Sequence, residues 1–289
     1  MVNFQPYEDQ VNHPPSYDPD EVLEVVLPYL TEIRELGCRT FIDATPPILG
    51  RDPVLIRRLS EASGLHMLTP TGNYAAMENR FLPPYVFDDP VEALAERWIQ
   101  EADEGIEETG IRPGFIKLGF NGGPLSPVEE KLIRAAAVAH LETGLTIGAH
   151  TGPAVSAFGQ LERLEAGGVH PSAWIWIHAQ SEPDPSRLLE AAGRGAWISC
   201  DGVKPDSVEA YVGLISRLRD GGFLHRVLVS HDAGWYTIGE EHGGDFRSYD
   251  TVFTALVPAL DRAGFTQVEI DTLLVDNPAR AFSISVRRI

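Results

Sequence analysis

The stretch GFIKLGFNGGPLSPVEEKLIRAAAVAHLETGLTIGAH, residues 114–150, decides the fold class. It begins and ends with short apolar runs, residues 114–120 and 145–150, that have the length and composition of strands. Between them lies a run of helical period, with Ser126 as the expected N-cap, Pro127 at the first helical position and Gly144 as the stop. This order predicts a β-α unit of a parallel sheet.

The same alternation extends along the whole chain. The runs that we interpret as strands are residues 38–45, 65–72, 114–120, 145–150, 174–178, 196–201 and 227–232. Stretches of helical period lie around them, at residues 20–35, 53–63, 91–109, 126–143, 161–166, 185–192, 207–219 and 249–262. Because no linker or low-complexity tract interrupts the pattern, we expect residues 1–289 to form a single domain.

The number of strands favours a barrel with one strand missing. A Rossmann sheet needs a GxGxxG turn after its first strand, and the sequence has none there. A (β/α)8 TIM barrel needs eight strands, but the pattern supplies seven and opens with a helix. The predicted fold is therefore an α/β barrel that lacks its first strand or starts late in it.

The charge balance restricts the partners. The chain has 23 Lys and Arg against 42 Asp and Glu, a net charge of -19, which repels phosphate backbones and anionic lipid surfaces. The N-terminus has neither the basic start nor the apolar run of a signal peptide. We expect a cytoplasmic protein that acts on a small molecule and binds neither nucleic acid nor membrane.

Ionisable residues at strand ends carry the functional information, because barrel active sites are built at the carboxyl ends of the strands. Lys117 lies within one predicted strand, and His150, His178 and Asp232 end three others. Each residue alone is more often structural, but the set contains good metal ligands in an ordered arrangement. Imidazole and carboxylate suit zinc, whereas a free ammonium is no ligand, so the lysine must be modified or serve another purpose.

Several motifs together give the chain a specific resemblance to a known family. From about residue 17 to residue 282 it resembles the phosphotriesterase-like group of the amidohydrolase superfamily, through CRTFIDATPPILGRDP, TPTGNY, GFIKLGF, GAHTG, WIHAQSEPD, VLVSHDAGWY and DNPARAF. The resemblance implies a carbamate on Lys117 that bridges two divalent metal ions, usually zinc. It implies His150 and His178 as ligands of the more exposed metal, and Asp232 as ligand of the buried metal and as catalytic proton acceptor.

Aromatic residues are the candidates for substrate contacts. Tyr74 matches a family aromatic near the metals. Trp235 and Tyr236 belong to the long segment 233–250 after the last strand, and such loops shape the substrate pocket of a barrel.

One departure from the family pattern concerns the metal ligands. Relatives carry an H-x-H pair on the first strand that binds the buried metal, and this chain contains no HxH. His13 is the only histidine upstream of the first predicted strand, and residues 2–4 resemble the segment that follows the pair in relatives. We expect the sequence either to start after the pair or to lack half of one metal site, so the buried metal should be under-occupied.

The expected function is that of a metal-dependent hydrolase that uses a metal-held hydroxide on a lactone, an ester or a phosphoester. Two alternatives remain open at this point. Lys117 could form a Schiff base in a barrel aldolase, or the chain could be a non-catalytic or impaired paralogue without the HxH ligands. A homodimer is expected from the resemblance alone.

Overall fold

The computed structural model describes residues 7–12 and 16–289. Its strands pair in parallel, β1 with β2 and β3 through β8 in chain order. The strands are β1 (Thr40–Ile42), β2 (His66–Leu68), β3 (Pro70–Thr71), β4 (Phe115–Gly119), β5 (Thr146–His150), β6 (Trp174–Ile177), β7 (Trp197–Cys200) and β8 (Val227–Val229).

The strand order confirms the predicted α/β barrel architecture with seven strand positions. The predicted run 65–72 contains both β2 and β3, so it joins the β1–β2 pair to the larger sheet. Within residues 7–12 and 16–289, no further strand pairs with β1 or β8. Residues 2–4 and His13, which the prediction of a missing first strand invoked, lie outside the described residues.

Helices connect successive strands, and most agree with the sequence pattern. They are α1 (Tyr7–Asn12), α2 (Pro19–Glu35), α3 (Pro53–Ser63), α4 (Pro84–Asp88), α5 (Val91–Glu104), α6 (Pro127–Thr143), α7 (Ala154–Ala166), α8 (Pro185–Arg194), α9 (Val208–Asp220), α10 (Val257–Arg262), α11 (Gln267–Asp271) and α12 (Asn277–Ala281). Within the described residues no helix is long and apolar enough to cross a membrane.

Helix α6, which was predicted from residues 126–143, begins and ends at the expected residues. The Ser126 side chain accepts from the Glu129 N–H while the Glu129 carboxylate accepts from the Ser126 N–H, which forms a capping box. Gly144 ends the helix in the left-handed conformation. The predicted helix 91–109 is shorter in the structure, because Gly105 has φ 105° and ends α5 before a short 3-10 turn.

An aromatic cluster connects β1 with the segment that follows β8. Phe41 of β1 meets the Tyr249 ring edge-on, with 4.9 Å between centroids. Phe246 contacts Tyr249 at 5.7 Å and stacks on Tyr29 of α2 at 4.6 Å. Among the described residues no backbone hydrogen bonds pair β1 with β8. Side-chain packing therefore connects these two ends of the strand order.

The C-terminal segment runs across the amino ends of the strands. Arg288 forms an antiparallel bridge with Val169, and the Arg287 N–H donates to Nε2 of His140 at 2.9 Å. The other ring nitrogen of His140 lies 2.8 Å from the Leu145 carbonyl oxygen. Because a carbonyl only accepts, Nδ1 carries the proton and His140 fills both contacts as a neutral ring.

The first prediction concerns Gly72, which follows β3 with φ 117°. A Cβ at this position would lie 2.1 Å from the backbone oxygen of Lys117, so Gly72→Ala combines backbone strain with a clash that a flexible side chain cannot relieve. We expect Gly72→Ala to lower the free energy of unfolding by about 2–5 kcal/mol in urea titrations. Gly123→Ala is the matched control, because no atom lies within 4 Å of its added Cβ. Equal stability of the two variants would contradict this.

The second prediction concerns the pH dependence of stability. Burial lowers the pKa of His140, so below about pH 6.5 the unfolded chain binds a proton there that the folded chain does not. The contribution of His140 to the free energy of unfolding is therefore present near neutral pH. It is lost on acidification, by up to about 1.4 kcal/mol per pH unit. Urea titrations between pH 7.5 and pH 5.5 should give a smaller slope for His140→Asn than for the parent. Identical slopes would exclude this role.

Candidate active site

The carboxyl ends of the strands bring the four predicted ligands into one region. Lys117 lies within β4, His150 is the last residue of β5, His178 directly follows β6, and Asp232 lies three residues after β8. Strand pairing aligns these ends, with Gly119 of β4 opposite His150. The charge of Lys117 acts on both His150 and Asp232, so the structure brings all four together.

Lys117 is buried inside the barrel without a polar partner. Its side chain is only 4% exposed, and the described residues offer it neither a hydrogen bond nor an ion pair. The nearest aromatic ring is that of Tyr74, whose centroid lies 5.9 Å from Nζ. Burial lowers the pKa of Lys117 to about 8, against the opposing charges of Asp232 and Asp201. The amine therefore remains mostly protonated near pH 7, but its neutral form is far more populated than that of a lysine in water.

The two histidines contact each other directly. Nε2 of His178 lies 2.8 Å from Nδ1 of His150, and the rings meet edge-on at 4.4 Å between centroids. Burial, followed by the charge of Lys117, lowers the pKa of His150 to about 2 and keeps this ring neutral. His178 adopts the left-handed backbone conformation, with φ 65°, which turns the chain sharply as it leaves β6.

A buried carboxylate orients His178. Asp201 accepts hydrogen bonds from the backbone N–H of His178 at 2.8 Å, from Nε2 of Gln180 at 2.9 Å and from the Ser199 hydroxyl at 2.8 Å. It also contacts Nδ1 of His178 at hydrogen-bond distance. Since a carboxylate can only accept, Nδ1 of His178 carries the proton, and Nε2 of the same ring faces Nδ1 of His150.

These contacts also fix the charge of Asp201. Burial acts to raise the pKa of its carboxyl, but the hydrogen bond from His178 and the charge of that ring outweigh burial and lower it. Asp201 therefore stays ionised as an acceptor of four donors.

Asp232 occupies the mouth of the same region. Its backbone has φ 46°, and the Arg247 guanidinium donates to its carbonyl oxygen and, at 2.9 Å, to that of His231. Partial burial raises the pKa of the Asp232 carboxyl against the opposing charge of His178. His231 itself turns away, because its Nε2 accepts from the Val252 N–H at 2.8 Å.

The aromatic candidates lie in different surroundings. Tyr74 is buried beside the cluster, with its ring 5.2 Å from that of His150. Trp235 is 38% exposed after β8, where a bound molecule could reach it. Tyr236 is buried in the apolar cluster that includes Val22 and Val26 of α2, so the structure does not bring it into recorded contact with the four predicted ligands.

The donor set can be compared with what a metal ion requires. Among the described residues, no group of three or more His, Cys, Asp and Glu side chains could hold a metal ion. Lys117, His150 and His178 would provide three donors if Lys117 carried a carbamate, which suffices for one metal ion. A second ion would share that carbamate with Asp232, and no histidine of the described region joins this pair.

Sequence reasoning missed Asp201 and Arg247. Asp201 ends the predicted strand 196–201, so it has the same strand-end signal that selected the other candidates. Three of its four donors come from His178 and Gln180 in the turn after β6 and the fourth from Ser199 of β7, an arrangement that only the folded chain shows. No local pattern marks Arg247, because its partners are the backbone carbonyls of His231 and Asp232 at the start of the same long loop.

Comparisons with known proteins agree on one family. The model of the phosphotriesterase family matches residues 8–282. The phosphotriesterase homology protein of Escherichia coli is 30% identical over 257 residues, which cover 88% of this chain and 86% of that protein. The crystal structure of the E. coli phosphotriesterase homology protein, complexed with phosphate in its active site, has a TM-score of 0.81 at 28% identity and 90% coverage of both chains.

Two relatives have names that state a reaction. The aryldialkylphosphatase of Saccharolobus solfataricus is 26% identical over 281 residues, covering 93% of this chain and 88% of that protein. The N-acetyltaurine hydrolase of Homo sapiens is 25% identical over 286 residues, covering 92% of this chain and 79% of that protein.

The third prediction tests the orienting role of Asp201. In Asp201→Asn one acceptor oxygen becomes a donor, so His178 loses part of the contact that fixes its ring. We expect Zn²⁺ binding, measured by calorimetry against a competing chelator, to weaken roughly 10- to 100-fold. Asp206→Asn removes the same charge from an exposed position and should bind Zn²⁺ like the parent. An equal loss in both variants would indicate an effect of net charge alone.

Proposed function

This chain belongs to the phosphotriesterase family, and we propose on that premise that it is a metal-dependent hydrolase that cleaves a lactone, an ester or a phosphoester. The observation that carries this proposal is Lys117, a buried lysine without a hydrogen-bond or ion-pair partner among the described residues. An uncompensated buried ammonium is costly, whereas a neutral amine can combine with CO2 to give a carbamate. His150 adjoins it as a neutral ring, and His178 contacts His150 directly.

The metal ligands follow from this arrangement. The Lys117 carbamate, His150 and His178 would hold the more exposed ion, and the carbamate and Asp232 would hold part of a second site. Zn²⁺ suits these nitrogen and oxygen donors. A bound divalent cation lowers the pKa of water and polarises the bond that is broken.

The residues of the chain itself perform the proton transfer and the positioning. Asp232 accepts the proton of the attacking water, and its raised pKa makes it a better base than an ordinary aspartate. Arg247 fixes the backbone that carries Asp232, and Asp201 fixes the ring of His178. Tyr74 packs against Gly119 and His150, where it would exclude bulk water from one side of the reacting group.

The substrate class is restricted by the chemistry that the relatives' names describe. An aryldialkylphosphatase and an N-acetyltaurine hydrolase both use water to displace a leaving group from a phosphoryl or acyl centre. In both reactions negative charge grows on an oxygen of the attacked group, which a cationic centre stabilises. A lactone fits the same requirement. We also propose that Trp235 and Tyr236 shape the substrate pocket, and that the protein acts in the cytoplasm as a homodimer.

The fourth prediction is metal and CO2 dependence. Exhaustive chelation should abolish hydrolysis in a panel of a lactone, an aryl ester, a dialkyl aryl phosphate and an N-acyl taurine. Zn²⁺, Mn²⁺ or Co²⁺ with bicarbonate should restore it, because the metal and the carbamate bind together. Full activity of a verified metal-free preparation would contradict the proposal.

The fifth prediction separates the roles of two residues. Lys117→Ala should lose bound metal and activity, since the carbamate is removed. Asp232→Asn should retain at least one metal ion and lose most of the rate. Lys204→Ala, at an exposed lysine, is the matched control and should keep both. If Lys117→Ala keeps its full metal content, Lys117 is not a bridge, and trapping with borohydride would then test the Schiff-base alternative.

A further inference from the structure

A second polar cavity lies at the opposite end of the barrel from the candidate active site. It has a volume of about 190 Å³, equivalent to roughly six water molecules. Its lining residues precede or begin strands β6, β7 and β8 or belong to the C-terminal part of the chain, and they are Ser172, Trp197, His225, Arg226, Arg280 and Arg287. None of them carries a carboxylate.

Distance separates this arginine cavity from the ligand cluster. Arg226 directly precedes β8, whereas Asp232 follows its carboxyl end. Six residues of mostly extended chain span roughly 20 Å, so the two sites occupy opposite mouths of the barrel. A ligand in the arginine cavity would therefore contact none of Lys117, His150 and His178.

Three guanidinium groups converge in the cavity from distant parts of the sequence. The charge of Arg280, after the effect of burial, lowers the pKa of Arg226, and the charge of Arg226 likewise lowers the pKa of Arg287. Within the described part of the chain, none of the three forms an ion pair with a carboxylate. The folded protein thus holds like charges together without compensation.

The three guanidinium groups also differ in the number of hydrogen bonds that they donate. Arg287 donates to the Thr146 hydroxyl at 2.8 Å and to backbone oxygens of Arg280 and Ser283. The Arg226 guanidinium instead lies over the Trp197 ring, 5.0 Å from its centroid, and neither the Arg226 nor the Arg280 guanidinium donates a hydrogen bond to a described residue. Each guanidinium carries five N–H donors, so two full sets remain available.

Because the chain is acidic overall, an arginine cluster without a carboxylate partner is unexpected. Acidic residues outnumber basic ones by 42 to 23, yet an acidic partner is missing from the lining of the cavity. A purely structural arginine cluster would be expected to acquire a carboxylate, because repulsion between like charges destabilises the folded state.

We propose that the arginine cavity binds a phosphate group, either inorganic phosphate or the phosphate of a small monoester. A doubly charged tetrahedral oxyanion matches the fork geometry of guanidinium groups, and two or three of them would balance its charge. The Ser172 hydroxyl supplies a further donor. Because Arg280 and Arg287 belong to the C-terminal part of the chain and Arg226 belongs to the barrel, the bound anion would fasten that part to the barrel.

Arg280→Gln is the decisive variant, because this exposed guanidinium donates no hydrogen bond to a described residue, so the substitution removes no contact that folding requires. In phosphate-free buffer of low ionic strength, Arg280→Gln should melt at a higher temperature than the parent, since one repulsive charge is removed. Phosphate should raise the melting temperature of the parent and have a weaker effect on the variant. A lower melting temperature of the variant without phosphate would show a structural role for Arg280 and overturn the proposal.

Calorimetry with inorganic phosphate, sulfate and methyl phosphate gives the affinities. Arg280→Gln and Arg226→Gln should each weaken binding at the cavity about tenfold or more, while Arg112→Gln, at an exposed arginine before β4, should not. A phosphate bound at the ligand cluster would remain in all three variants. Tighter binding of methyl phosphate identifies a monoester as the ligand, and preference for inorganic phosphate identifies the free ion. Unchanged binding in both cavity variants overturns the proposal.

Discussion

The burial of Lys117 is the constraint on which the candidate active site depends. Removing an ammonium from water costs several kcal/mol unless a partner compensates it, and the described residues provide only distant carboxylates. The surrounding backbone is arranged around this side chain. Gly72 comes so close to the Lys117 carbonyl that no Cβ fits, and Gly148 lies opposite Lys117 in the neighbouring strand. The interior of the barrel therefore favours the neutral form of Lys117 relative to a lysine in water.

The sequence predicts the strands well because each is a short apolar run between residues that end regular structure. Ser126 and Gly144 mark both ends of α6 by chemistry that acts within one helical turn. Strand-end position selected His150, His178 and Asp232, since parallel strands align their carboxyl ends, and Lys117 was selected as a lysine inside an apolar strand. What escaped prediction depends on contacts between distant residues. The start of α7 has no local capping side chain, because its Ala154 N–H donates to the carboxylate of the distant Glu182. The short helices α11 and α12 have too few turns to show a period.

The same distinction separates the two polar sites. The ligand cluster is recognisable in the sequence because its members share a position relative to strands. The arginine cavity has no such signature, because Arg226 precedes a strand, Arg280 lies in α12 and Arg287 lies beyond it. Only the C-terminal segment, held by its bridge to Val169, brings the three guanidinium groups together. A cluster of charges that includes residues of the C-terminal segment therefore cannot be predicted from the alternation of strands and helices.

The left-handed conformations of His178 and Asp232 have a consequence for laboratory evolution. A non-glycine residue in this region costs about 1–2 kcal/mol, and the protein has one at each of the turns that follow β6 and β8. Glycine tolerates the conformation better than histidine or aspartate, so glycine at either turn should raise thermal stability. Selection for heat resistance alone would therefore tend to remove two of the proposed metal ligands. A library screened for robustness should keep both codons fixed.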